Sequence, residues 1–451
     1  MDLQTIAAIF FLAILTIFVF LKRKNLEIKQ IIPRFLYLSM YRTSIGLKSM
    51  DFIAGKWRKF MLYVGYAGIL VGFIGMLFIS YTMLNNVYLL YTQPEAAPGV
   101  GLVLPFKAKG VFFVPFFYWI ISIFVIAAVH EFSHGLISKA NNIKVKSSGF
   151  AFFGTGFRLS GLGIVIISLY VKISHSQFYN FNLLDYSSPD FWIIIGVILV
   201  ILSFIKGISK IGYIPIIPAA FVEPDEKELR KRPHKEQLSV FAAGPFSNIL
   251  AAFVFILISS FVLAPIVNGL IEPNGVKITD YVKDKEKFPA EIAGIRIGEV
   301  IQKVDGIPTP YVKNLSMVLR SKKPNDVVAI ITDKYSYEIK LAKNPENESL
   351  AYLGAYLEQS TSINADVKVK YGEMLPNTII WTYGLFIILF ILNLGIGLFN
   401  LVPIGPLDGG RMLQLVLDKF FGKEKGNKAW YAISMFFMIL ILVNLIVGFI
   451  K

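Results

Sequence analysis

The chain contains no cysteine. No disulfide can form, and any bound zinc must be held by His, Asp or Glu. Histidine is scarce as well, with 4 in 451 residues, and charged residues make up only 17%. Positive charge is missing ahead of the first apolar run, Ile6 to Leu21. Lys22-Arg23-Lys24 follows that run, and no small-residue cleavage site does. This order predicts a retained membrane anchor with its N-terminus outside, not a cleaved signal peptide.

Apolar surface is what the chain has in quantity: 55% of residues are hydrophobic and 14% aromatic. Several apolar runs reach about 17–25 residues, long enough to cross a hydrocarbon core of roughly 30 Å. The net charge is +15, which raises the question of nucleic acid. Placement answers it. Between Leu21 and Phe60 stand ten Lys or Arg against Glu27 and Asp51, more than half of the total excess. A short basic loop between two spans is the positive-inside pattern, so the loop belongs in the cytoplasm and no nucleic acid is expected as a partner.

The run from Val111 to Val129 reads as the third span, descending toward the cytoplasm, and it closes in His130-Glu131-Phe132-Ser133-His134-Gly135. Positions i and i+4 of a helix share one face, so both imidazoles can reach a single ion. Glu131 then stands beside the ion, able to take a proton from a water there. The bland reading is a chance grouping of polar residues at a helix end. Polar side chains at membrane depth are costly, which favours the metal. A zinc site of this kind lacks a third protein ligand.

Further along, Gly149 to Lys172 and Ile211 to Pro218 mix small, aromatic and proline residues. They read either as strand-like backbone buried in protein or lining a wet cavity, or as ordinary helices with glycines. Asp190 to Ser203 reads as a helix. His175 and His234 lie in polar surroundings and are expected to be exposed rather than ligating. Leu238 to Val267 is a span, with Ala243-Gly244-Pro245-Phe246-Ser247-Asn248 near its start.

From Gly269 to Val369 fourteen basic residues balance fourteen acidic ones, and short apolar runs alternate with turn residues. Strands are expected at Val276–Ile278, Gly298–Gly306 and Val327–Ile331, with a short helix at Asn314–Arg320. Membrane character returns at Leu375 to Leu398 and again at Trp430 to Ile450. Between them lies Asn400-Leu401-Val402-Pro403, leading to Asp408-Gly409-Gly410-Arg411. Asp408 is either the cap of the helix that follows it or the missing ligand. The histidine motif in the same membrane region favours the ligand.

Taken together, HEFSHG, the AGP segment with Asn248, and Asn400 through Pro403 to Asp408-Gly409 resemble the site-2 protease family of intramembrane zinc metalloproteases, over about Val111 to Gly410. The resemblance implies one zinc per chain on His130, His134 and Asp408, with Glu131 as catalytic base. It also places Asn248 beside the zinc, a candidate for holding substrate or the developing oxyanion, while Asn400 and Pro403 shape the loop that aims Asp408. The soluble insert resembles a PDZ domain, notably in Phe288 to Gly298 leading into Val304-Asp305-Gly306. It would then either take peptide ends by strand addition or obstruct large extramembrane domains. One departure from the family pattern is the stretch of about sixty residues between Phe150 and Ile211.

The expectation is a polytopic α-helical membrane protein of about six to eight spans, with a re-entrant β-like membrane segment and an inserted small α/β PDZ-like domain. Its parts would be 1–110 (anchor spans and basic loop), 111–268 (first half of the protease core), 269–370 (PDZ-like) and 371–451 (second half of the core). The expected activity is zinc-dependent cleavage of membrane-spanning segments of protein substrates inside the lipid bilayer. Gly149 to Gly156 would hold the substrate extended, the zinc would lie toward the cytoplasmic side, and the insert would lie outside. The rival readings are a non-catalytic scaffold with a peptide-binding domain and a metal transporter.

Overall fold

A computed structural model describes residues 3–33, 35–93, 96–105, 110–174, 189–204, 213–282, 287–345 and 347–450. His175 lies outside them. The chain divides into two compact units, Met1–Ile256 with Leu385–Lys451, and Leu257–Gly384.

The first unit opens with a 20-residue apolar helix, α1 (Leu3–Lys22), and then two strands, β1 (Leu26–Ile32) and β2 (Leu36–Thr43). Two helices follow, α2 (Leu47–Lys56) and α3 (Arg58–Thr92), and then α4 (Phe116–Ala140). Next come β3 (Val145–Gly156), the apolar helices α5 (Phe157–Ser174) and α6 (Pro189–Leu202), β4 (Tyr213–Pro224) and α7 (His234–Ile258). The four strands form one antiparallel sheet in the order β1-β2-β3-β4. Leu15 and Val19 of α1 are buried against Leu26, Tyr37 and Phe152 of that sheet.

Four expectations need correction here. The basic stretch Leu21–Phe60 is not a plain loop, because it supplies β1, β2 and α2. Its strand Leu36–Thr43 carries large apolar or aromatic residues on both faces, with Ser39, Arg42 and Thr43 among them, so no clean two-residue alternation marks it as a strand. Val111–Phe113 is a short strand paired with Leu102–Leu104, and α4 begins only after Pro115, which cannot donate to a preceding turn. The glycine- and aromatic-rich stretch is strand only as far as Gly156, after which Phe157 begins a helix. Gly149–Gly156 is also an interior strand, paired with β2 on one side and β4 on the other. The edge strands are β1 and β4, and Pro215 and Pro218 are tolerated in β4 because an edge strand has backbone donors to spare.

The second unit is a small α/β domain. A sheet in the order β8-β7-β6-β5-β9 is built from β5 (Ile271–Tyr281), β6 (Val300–Val304), β7 (Val327–Thr332), β8 (Ser336–Lys340) and β9 (Ala355–Ile363). The helix α8 (Val312–Arg320) follows β6 in the chain. Asp305-Gly306 turns β6 back on itself, with both residues at positive φ (49° and 78°), as a tight hairpin requires. Val276, Ile278, Ile301, Val304, Leu315 and Ile330 are fully buried in one apolar core. The three strands and the helix expected from sequence are present.

The chain then returns to the first unit through α9 (Met374–Phe399) and ends in α10 (Asp408–Ile450), which is broken at Gly422 by a φ of 76°. Among the described residues five helices are long and apolar enough to cross a membrane: Arg58–Thr92, Phe116–Ala140, His234–Leu270, Met374–Phe399 and Asp408–Ile450. This is a polytopic membrane architecture. Gly65, Gly68, Gly72 and Gly75 form a bare stripe along α3. A β-carbon at Gly72 would lie 2.9 Å from Met412, and one at Gly75 would lie 2.5 Å from Leu401. Backbones can approach closely along such a stripe, and it draws α10 and the turn ahead of it toward α3.

Candidate metal centre

His130 and His134 lie in the second half of α4, one turn apart on one face. Asp408 opens α10, and its Oδ2 stands 3.1 Å from Nε2 of His130 and 3.3 Å from Nε2 of His134. The two Nε2 atoms are 3.1 Å apart. Four donors at about 2.0–2.1 Å around a tetrahedral zinc stand roughly 3.3–3.4 Å from one another, so this triangle fits such an ion and leaves one position open. The carboxylate faces the imidazoles, the arrangement expected of a ligand rather than of a helix cap.

The turn before α10 is what aims Asp408. The Gly409 amide donates to the Asn400 carbonyl at 2.8 Å. A β-carbon on Gly409 would meet the Leu401 carbonyl oxygen at 2.1 Å, and one on Gly410 would meet that of Ile404 at 2.0 Å. Only glycine lets backbone pack on backbone this closely. Trp430 closes the back of the turn by donating its indole N–H to the Gly410 carbonyl.

Helix α7 supplies the wall behind the histidines. A β-carbon at Gly244 would lie 2.4 Å from Nε2 of His134 and 2.5 Å from Nε2 of His130. The absent side chain is thus the space in which the two Nε2 atoms converge. Pro245 has no N–H for the Phe241 carbonyl one turn earlier, which loosens the helix here. In the same turn the Val240 carbonyl accepts Nδ1–H of His134 at 2.7 Å. Asn248, fully buried, places its side-chain nitrogen 3.2 Å from Nδ1 of His130.

Glu131 sits between two clefts. One, of about 610 Å³, is lined mainly by polar groups, including Lys146, Glu226, Lys227 and Arg411. The other, of about 400 Å³, is mainly apolar, with Leu38, Ile126, Phe153, Ala220 and Ile396 in its walls. His130, Glu131 and Asn400 border both. One carboxylate oxygen of Glu131 accepts the Val222 amide of β4 at 3.1 Å, so that amide points out of the sheet at its open edge.

The end of β4 is clamped. Arg42 of β2 pairs with Glu223 of β4 and with Glu27 of β1, and it donates to Ser147 of β3 at 2.7 Å. Burial acts to raise the Glu223 carboxyl, but the hydrogen bonds from Arg42 and Ser147 outweigh it and hold the group below its ordinary value. Glu27 is lowered likewise, by Lys29 and then Arg42.

Residues 118–443 match the model of peptidase family M50. The chain belongs to peptidase family M50. The chain is similar to the zinc metalloprotease RasP of Shouchella clausii, 24% identical over 269 residues, covering 51% of this chain and 62% of the relative. A putative zinc metalloprotease of Clostridium perfringens is 22% identical over 335 residues, 66% of this chain and 85% of that one. An uncharacterized protein of Methanocaldococcus jannaschii is 24% identical over 379 residues, 82% and 74% of the two chains. The PDZ domain of the SdrC-like protein of Listeria monocytogenes is 25% identical, with a TM-score of 0.16, covering 19% of this chain and 87% of that one. This M50 peptidase is therefore a zinc metalloprotease of the site-2 protease type, built into a membrane.

The M50 chain brings His130, His134 and Asp408 together, with Glu131 and Asn248 in contact with their surroundings. His234 stands at the start of α7 and borders a separate cleft with Gln414 and Trp430. Three contributors were not legible in the sequence: the Val222 amide, the Val240 carbonyl and the space at Gly244. The first two are backbone groups and carry no sequence signal.

Proposed function

We propose that this M50 peptidase hydrolyses peptide bonds within membrane-spanning segments of other proteins, with His130, His134 and Asp408 holding one zinc. The observation that carries the reading is the place of Glu131, beside the metal group, bordering both a polar and an apolar cleft, and bonded to the open edge of β4. A zinc ion on the three ligands supplies a Lewis acid that polarises a scissile carbonyl and makes water nucleophilic near neutral pH. Glu131 takes the proton from the attacking water as the new C–O bond forms. It returns that proton to the amine as the C–N bond breaks, so the proton count closes.

The polar cleft is the route for water, and the apolar groove is the seat of the substrate. A helical segment keeps its carbonyls in hydrogen bonds, so it must unwind before attack. In an antiparallel strand the N–H and C=O of one residue point the same way and alternate along the chain. Ala220 therefore presents both groups on the side where Val222 reaches Glu131, ready to pair with an extended segment. The small domain, PDZ-like in sequence, lies outside the cytoplasm on the positive-inside argument and selects or excludes substrates there. Glu131→Gln tests the whole reading. Cleavage of a membrane-segment substrate is expected to stop while zinc stays bound, and normal cleavage by that variant would overturn it.

A further inference from the structure

Asn248 faces the edge of His130 away from the metal group, and it also borders the apolar cleft beside Ile126, Ala220 and Ile396. Its amide faces Nδ1 of His130, the ring edge away from the Nε2 that meets Asp408. With the amide nitrogen toward that edge, Oδ1 is buried and has no hydrogen-bond partner. This orientation does not suit a metal site. A donor facing Nδ1 needs a bare nitrogen there, and a neutral imidazole then carries its proton on Nε2, where the ion must bind. A half turn of the amide exchanges two ends of nearly equal size. It aims Oδ1 at an Nδ1–H and frees the Nε2 lone pair, and it turns the NH2 to the buried place that Oδ1 leaves.

His134 already shows the same logic, with its Nδ1–H given to the Val240 carbonyl. The amide at 248 is also held in place from behind. A β-carbon on Gly397 of α9 would lie 3.2 Å from Cβ of Asn248, so the helices meet there with little room for another rotamer.

We propose that Asn248 is a positioning residue, the acceptor that locks His130 in its metal-binding tautomer, so that α7 orients both histidines from behind. The proposal rests on the zinc reading above. It differs from the oxyanion role that resemblance implied, because the contact seen is to the ring edge of His130 and calls for an acceptor, not a donor. Acceptors behind a ligating imidazole typically change metal affinity by about 10–100-fold.

The test measures zinc dissociation constants by chelator competition on the full chain in detergent, for wild type, Asn248→Leu and Asn248→Asp. Cleavage is measured alongside at saturating zinc. Aspartate keeps the acceptor and has no donor, so it separates the two roles. Leucine is expected to weaken zinc about 10–100-fold, and aspartate to hold zinc and cleavage close to wild type. Leucine with unchanged zinc affinity overturns the proposal. So does an aspartate variant that binds zinc normally and no longer cleaves, and that comparison decides alone if the leucine variant does not fold. A wild type that binds no zinc is a different outcome, since it removes the zinc reading itself.

Discussion

Gly244 and His134 are in a relationship that a single methyl group would end: a β-carbon on the glycine would fall 2.4 Å from the Nε2 that faces Asp408. His130 is as close, at 2.5 Å. Neither ring can retreat freely, because His134 is tied to the Val240 carbonyl and His130 faces Asn248. Gly244→Ala is therefore expected to lower zinc affinity by about 100-fold or more, at least the effect of losing a supporting contact. Overpacking of this kind costs about 1–3 kcal/mol in stability, so the variant still folds. Wild-type zinc binding in Gly244→Ala would show that the histidines converge elsewhere.

The ligand set makes a graded prediction. His134→Ala and Asp408→Ala remove one donor each from a three-donor set and should leave the purified protein with little zinc. Asp408→Asn keeps one oxygen in place and should bind more weakly than wild type but better than alanine. Elemental analysis of the four proteins checks the order, with one zinc per chain expected in wild type.

How much of this was legible in the sequence depends on the kind of signal. His130, Glu131, His134 and Asp408 are rare residue types in an apolar chain, so they stand out wherever the fold puts them. The small domain announced itself through balanced charge and turn residues such as Asp305-Gly306. The four-stranded sheet did not. Its strands mix apolar with small and polar residues, and β2 lies over a hundred residues from its partner β3. Its open edge was assigned to Gly149–Gly156, because nothing in a strand's composition says which neighbours it will find. The contacts that orient the histidines are missed for a related reason, since one is a main-chain carbonyl and another is a space.

The open edge of β4 gives a prediction that distinguishes neighbouring residues. Ala220 lies two residues before Val222 and presents its N–H outward, whereas Ala219 faces the ladder with β3. Ala220→Pro removes one outward donor. Loss of a hydrogen bond of about 1 kcal/mol should slow cleavage of a membrane-segment substrate roughly 5–10-fold, with zinc content unchanged. Ala219→Pro breaks an internal bond and should instead lower the melting temperature. Equal, wild-type cleavage by Ala220→Pro would remove strand pairing from the account.

The clamp at Arg42 predicts a pH dependence. Glu223 and Glu27 both have folded-state values below the ordinary 4.5, so their pairing stabilises the sheet above that pH. The contribution is lost as pH falls through the depressed folded values, when the carboxylates take up protons. Both pairs are solvent-exposed, so the effect is modest and weakens with salt. At pH 7 Arg42→Gln should melt below wild type, and the gap should close on acidification below about 4.5. A gap that widens in acid would have the sign wrong.

The last prediction concerns the small domain. Its first and last strands run side by side, with Ile271 opposite Ile363, so the chain enters and leaves at neighbouring points. Cross-strand partners are about 4.5–5.5 Å apart, a span that a short Gly/Ser linker closes easily. The domain also has its own apolar core, formed entirely from residues between Val276 and Leu353. Two consequences follow from that enclosure. Residues 269–370 expressed alone should unfold in one cooperative transition, seen by circular dichroism. The protease with 271–363 replaced by a linker should keep its zinc, because none of the metal group lies in the excised piece. What should change is which substrates are cut, those with large extramembrane domains against those without. If the shortened chain loses its metal, the domain is structural to the protease core and not a module that governs access to it.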